Sequence, residues 1–139
     1  MRVVLDVNIL VSALIGDAGM PALIYQAWED GLFIQLSCSE HIAELRATLR
    51  KPRVAALIRP HRAGRLVNDV RKFAHIIVAL PHVRRSADPF DDYLLALAEA
   101  GQADYLVTGD KDGLLALRRH KGTQIVSARL FAEQLWRFQ

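Results

Sequence analysis

The sequence predicts a three-layer α/β/α sandwich with a mainly parallel central sheet. Short apolar runs such as Val3-Val4-Leu5 and Tyr105-Leu106-Val107 have the composition of strands buried on both faces. Segments with helical spacing and recognisable start and stop signals fall between such runs. That rhythm of strand and helix implies right-handed crossovers between parallel neighbours. The 139 residues, 52% hydrophobic, suit one domain spanning 1–139, and no repeat, low-complexity tract or linker divides them.

Each element has a local justification. Val3 to Leu5 forms the first strand, and Asn8 to Ile15 suits a turn or two of helix. After Gly16-Asp17-Ala18-Gly19 a helix is expected from about Pro21 to Asp30, with proline early and Gly31 at its end. Phe33 to Ser37 reads as the second strand. Ser39 is the expected N-cap of a helix that Pro52 stops after Arg50. Residues 53 to 78 carry helical spacing broken at Pro60, with Leu66, Val67, Val70, Phe73, Ala74 and Ile77 as the buried stripe and a short strand near Ile76 to Leu80. Asp88-Pro89 opens a helix that Gly101 closes. Tyr105 to Val107 is a further strand, Leu114 to Arg119 a helix, and Thr123 to Val126 the last strand. Ser127 caps a final amphipathic helix to Phe138.

Composition excludes several classes. No apolar run reaches the roughly 20 residues that cross a bilayer, and the run from Val3 to Ile15 is broken by Asp6, Asn8 and Ser12, which is neither a membrane span nor a secretory signal. No membrane association is expected. Cys38 is the only cysteine, so neither an internal disulfide nor a thiolate zinc site can be built, a usage that fits a reducing cytoplasm. Net charge is +3, but its distribution says more: eleven Lys or Arg residues lie from Arg46 to Arg85 against one acid, Asp69. Arginine stems often cover apolar surface. Beside a metal site the same block suits a polyanion, and Arg46, Arg50, Lys51 and Arg53 are the expected phosphate contacts.

The acids point to chemistry. Asp6 follows the first apolar strand and Asp110 follows the Leu106-Val107 pair, so both belong at carboxyl ends of strands, where open α/β sheets bind ligands. Asp6 also interrupts an apolar run, which is costly unless it is hydrogen-bonded, paired or metal-bound. Glu44 lies in the first half of the helix after the second strand, and Asp91-Asp92 lie in the first turn of the helix before Tyr105. Taken singly, Asp91 or Asp92 is an ordinary helix-start charge, Glu44 a surface residue and Asp110 turn chemistry. Taken together, converging carboxylates repel, and a divalent cation relieves the repulsion. Oxygen donors favour magnesium or manganese, which activate water and steady charge on a scissile phosphate. The five histidines lack paired ligand spacing and are expected to be structural, on the surface or partly buried. Trp28 and Trp136 are expected to anchor the core or an interface.

With those residues in view, the chain resembles the PIN-domain family, in particular its bacterial and archaeal toxin-like branch. Val3 to Leu14 (VVLDVNILVSAL around Asp6) resembles the opening motif, and SEHIAELRATLRKP, Ser39 to Pro52, the second with Glu44 in the acidic place. Asp88 to Ala98 (DPFDDYLLALA) resembles the third, and Ala103 to Asp110 (ADYLVTGD) the fourth. The resemblance covers nearly the whole chain. It implies a magnesium- or manganese-dependent endoribonuclease, often a toxin restrained by a cognate antitoxin. It places Asp6, Glu44, Asp92 and Asp110 on the acidic positions, with Asn8 and Thr108 supporting them. Spacing to Leu95, Ala96 and Ala98 favours Asp92 as the third acid and leaves Asp91 open, while Phe90 stands where a further acid is common. A homodimer through helices 21 to 28 and 130 to 138 is expected, as is an antitoxin segment bearing arginine. The rival expectations are a nuclease of the same fold acting on DNA or structured RNA outside a toxin–antitoxin pair, and a non-catalytic RNA-binding module.

Overall fold

The computed structural model describes residues 1–16 and 19–137. Asp17 and Ala18 of the expected linker, and the end of the expected last helix at Phe138, lie outside the described residues. The strands are β1 (Arg2–Leu5), β2 (Ile34–Ser37), β3 (His75–Ile76), β4 (Tyr105–Val107), β5 (Arg119–His120) and β6 (Thr123–Val126). Between them run α1 (Val7–Ile15), α2 (Met20–Glu29), α3 (Ser39–Arg50), α4 (Pro52–Ala55), α5 (Pro60–Phe73), α6 (Asp92–Gly101), α7 (Leu114–Leu117) and α8 (Ala128–Arg137).

These strands form one sheet in the order β3-β2-β1-β4-β6-β5, parallel throughout except for β5, which pairs antiparallel with β6. The sheet is covered on both faces, giving the expected three layers. Alternation sorts the side chains: Val3, Leu5 and Val107 join one core with Ile24, Leu45, Val70 and Phe131, while Val4 and Leu106 join the other with Leu36, Leu94 and Leu97.

Strand order reverses between β1 and β4. From β1 the chain winds outward through β2 to β3, and from β4 it winds the opposite way through β6. Two adjacent strands whose following segments leave in opposite directions open a crevice at their carboxyl ends. Asp6 and Thr108 are the first residues beyond β1 and β4 and therefore meet there.

Several local expectations are corrected. Cys38, not Ser39, is the N-cap of α3; Ser39 is already helical, and its hydroxyl donates to Glu40 Oε1 at 2.6 Å. Phe73 is not part of the buried stripe but 64% exposed, its ring beneath the Lys72 ammonium. Gly101 ends α6, yet the left-handed residue is Gln102, at φ 52. Gly101 serves a different need, because a Cβ there would lie 2.5 Å from Leu36 Cδ1 where α6 crosses β2. The short strand β5 was not anticipated from the sequence, its two residues being too few to show periodicity. His41 and His120 are buried rather than on the surface or partly buried. Trp28 is buried as expected of a core anchor, and Trp136 is exposed. Among the described residues no single helix is long and apolar enough to cross a membrane.

Candidate metal centre at the strand switch

Asp6 is held from three sides. Its backbone N–H donates to Val107 O at 2.9 Å, which locks the end of β1 to β4. Its carboxylate accepts from Thr108 Oγ1 at 2.7 Å and from the backbone N–H of Asn8 at 3.3 Å. Thr108 Oγ1 in turn accepts from the backbone N–H of Asp110 at 3.2 Å, so one hydroxyl links the two strand-end acids. Asn8 contributes through its backbone. Burial pushes the Asp6 carboxyl above its ordinary range and the Asp110 charge adds to this, while the Thr108 and Asn8 bonds pull it back.

The Asp110 carboxylate accepts from the N–H groups of Gly113 at 3.1 Å and Leu114 at 3.2 Å, at the start of α7. Only glycine permits this approach, since a Cβ on residue 113 would lie 2.0 Å from Asp110 Oδ2. Glu44 accepts from the Tyr93 hydroxyl at 2.6 Å. Burial raises the Glu44 carboxyl, the Tyr93 bond lowers it, and among charges Asp6 and Asp88 raise it while Lys51 lowers it. The Tyr93 phenol is driven upward by burial and by Glu44, and stays a donor.

Asp91 and Asp92 face different surroundings. Asp91, in the single turn of 3-10 helix Pro89–Asp91, is pushed up to about 6 by burial and then by the charges of Asp6, Asp88, Asp110 and Glu44. Asp92, which spacing favoured as the third acid, stands outside that group. Its Oδ1 accepts from the backbone N–H groups of Arg85 at 3.0 Å and Ser86 at 2.8 Å, and from the Ser86 hydroxyl at 2.8 Å. Burial raises its carboxyl, but those bonds and the nearby His82 together hold it below the ordinary range, as expected of a carboxylate capping a loop. Asp88, not singled out from the sequence as a site residue, is the fifth acid whose charge is felt here; its side chain accepts from the Phe90 N–H at 3.0 Å.

A buried histidine braces the crevice. The Leu5 carbonyl can only accept, so His41 Nε2 carries the proton donated to it at 2.7 Å, and Nδ1 accepts from Ser37 Oγ at 2.7 Å. Burial lowers His41 to about 4, so it stays neutral and ties α3, which carries Glu44, to the residue before Asp6.

The cationic block does not form one surface. Lys51, two turns on from Glu44, shares its face and lowers its carboxyl. Arg46 and Arg50 lie about 160° and 120° around α3 from Glu44 at roughly 100° per residue, and line a separate 480 Å³ groove with Ile58 and Pro60. Arg53 is exposed on α4. Arg62 Nη1 donates to Leu14 O at 3.2 Å, and Arg65 pairs with Glu29 and Asp69, so these two have structural partners. The residues leading into Asp88 add a second cationic feature, a strap over residues 77–88 that packs Ile77, Leu80 and Val83 against the α6 core. Beside Tyr93 it borders an open groove of 850 Å³ lined by His82, Arg84, Arg85, Ser86, Pro89 and Asp92, with Glu40 also in the lining.

Five carboxylates are thus within reach of one another's charge, and none takes part in an ion pair among the described residues. As the side chains stand, no three His, Cys, Asp or Glu residues among those described are close enough to enclose an ion. Magnesium keeps several waters and commonly needs only one or two protein carboxylates, so an open set of hard oxygen donors with unbalanced charge fits it in chemistry and charge. Neither the curated proteins nor the solved structures give a match to the chain. The sequence profile of the PIN domain matches residues 2–112, the span from β1 through Asp110, and the chain therefore belongs to the PIN domain family, whose members are generally metal-dependent nucleases.

Proposed function

We propose that the protein is a divalent-metal-dependent endoribonuclease that hydrolyses phosphodiester bonds of RNA, and that it is the toxin of a toxin–antitoxin pair. The observation that carries the nuclease reading is the group of uncompensated carboxylates at the β1/β4 switch, with Asp91 raised to about 6 by burial and by four neighbouring acids. In this reading Asp6, Glu44, Asp91 and Asp110 hold magnesium or manganese, Thr108 orients Asp6, and Gly113 orients Asp110. When bound, the ion lowers the pKa of a coordinated water and steadies charge on the scissile phosphate. Tyr93 fixes one Glu44 oxygen by hydrogen bond and leaves the other free. Lys51 suits a flanking phosphate better than Arg46 or Arg50, because its charge reaches Glu44, and Arg84 of the strap lines the groove beside Pro89 and Asp92.

The test is cleavage of defined single-stranded RNA with added manganese, beside DNA and folded RNA of the same sequence. Asp6→Asn and Asp91→Asn are expected to lose at least about 100-fold in rate, as when a group acting on developing charge is removed. Cutting that survives both substitutions or ignores chelation rejects the reading, and faster cutting of DNA rejects RNA as the substrate.

Two partner assignments go with it. A homodimer through α2 and α8 draws support from Leu23, Leu130 and Trp136, which are exposed on these two packed helices. Sedimentation as monomer at micromolar concentration would remove it. The antitoxin segment is expected to place an arginine among the acids, so its binding should weaken as manganese is added.

A further inference from the structure

Phe90 sits in the turn between Asp88 and Asp91 and has no part in the chemistry above. Its side chain is 85% exposed. The backbone beneath it is fixed: Phe90 N–H donates to Asp88 Oδ1 at 3.0 Å, Asp91 N–H donates to Asp88 O at 2.9 Å, and Pro89 restricts the turn. On one side, Asp88 and Asp91 belong to the interacting acids. On the other, Pro89 and Asp92 line the groove that holds Arg84 and Arg85. The turn that carries the exposed ring therefore joins the interacting acids to a groove lined by arginines.

Its chain neighbours Asp88, Asp91 and Asp92 are acidic, and Pro89 is the one apolar residue beside it in the turn. A protein partner covering Phe90 would have to desolvate the flanking carboxylates for the sake of one ring. A nucleobase needs only the face of the ring, and its own phosphates belong beside cations such as Arg84 and Lys51.

We propose that Phe90 is a stacking platform for one unpaired base of a single-stranded RNA, next to the phosphate that is cut. This rests on the nuclease reading above. A base inside a duplex is already stacked on both faces, so the platform selects single strands.

The experiment measures manganese-dependent cleavage by the full chain on a single-stranded oligonucleotide, and on a series carrying one abasic site moved along the strand. Phe90→Ala should lower kcat/KM about 5- to 100-fold, chiefly through KM, and Phe90→Trp should stay within about 3-fold of the parent. At one position the abasic site should cost the parent the same factor and cost Phe90→Ala nothing. The melting temperature should not move, because the side chain packs against little. Unchanged kcat/KM in Phe90→Ala overturns the proposal, as does an abasic series in which no position couples to the ring. A loss that accompanies conversion of dimer to monomer overturns it too and assigns the ring to contact between copies. If Asp91→Asn stops cutting while Phe90→Ala does not slow it, stacking alone is rejected. A parent that cuts no RNA rejects both readings.

Discussion

Asp91 and Asp92 are neighbours with separate tasks, one turned to the acids and one capping the strap. Spacing in the sequence does not divide them, because it treats both as the first turn of one helix, whereas a 3-10 turn carries Asp91 and the α-helix starts at Asp92. A pH prediction follows from Asp91. Its folded pKa of about 6 exceeds the ordinary 3.8, so in that window the metal-free native state binds more protons than the unfolded chain and loses stability as pH rises. Asp91→Asn should therefore stabilise the metal-free protein near pH 7 by about 1 kcal/mol after solvent screening, and by nothing near pH 3.5. Melting curves at the two pH values check it. His41 acts in the opposite sense: its folded pKa of about 4 lies below the ordinary 6.5, so its contribution is lost as pH falls through that interval. Comparison with Asp91→Asn cancels this background. Gln35, fully buried in β2, has no hydrogen-bond partner for either side-chain polar atom among the described residues. Gln35→Met keeps the length and removes the unmet polar atoms, and should raise stability by roughly 1 to 3 kcal/mol in denaturant titration.

Glycines distinguish what single elements require. The turn after β4 reads as Gly and Asp punctuation, and Gly113 could have been noticed only as the glycine three residues beyond Asp110. Its role as the gap into which the Asp110 carboxylate fits is a tertiary fact. Gly113→Ala should displace that carboxylate and reduce cleavage by at least about 10-fold, while thermal stability falls by less than about 2 kcal/mol. At the end of α6 the signals conflict, since the helix needs a residue without Cβ at 101 to pass Leu36 and a left-handed residue at 102. Glycine occupies the first position and glutamine carries the positive φ. Gln102→Gly should stabilise by about 1 kcal/mol, measurable by chemical denaturation. The strap over 77–88 was not legible at all. It contains no helix or strand, and Arg85 Nη1 holds it by donating to Arg119 O at 3.0 Å and His120 Nδ1 at 2.9 Å, partners from a strand too short to foresee.

The topology of the whole chain was the most legible level. Buried strands alternating with helices specify a parallel sheet, and acids at strand ends fall at its carboxyl edge without knowledge of any side-chain contact. Contacts across more than a hundred residues, such as Thr108 with Asp6, then set the site, and no local pattern encodes them. The same long-range placement dissolved the cationic block, whose members share one stretch of sequence but are divided among α3, α4, α5 and the strap. What stands to be tested is that folding places Asp6 and Asp91, but not Asp92, around one divalent ion. Calorimetric titration of manganese into the full chain and three variants addresses this directly. The account predicts binding by the parent, loss of at least about 10-fold in affinity for Asp6→Asn and Asp91→Asn, and a change under about 3-fold for Asp92→Asn. Equal affinity in all four proteins, or a loss in Asp92→Asn as large as in Asp91→Asn, would contradict it.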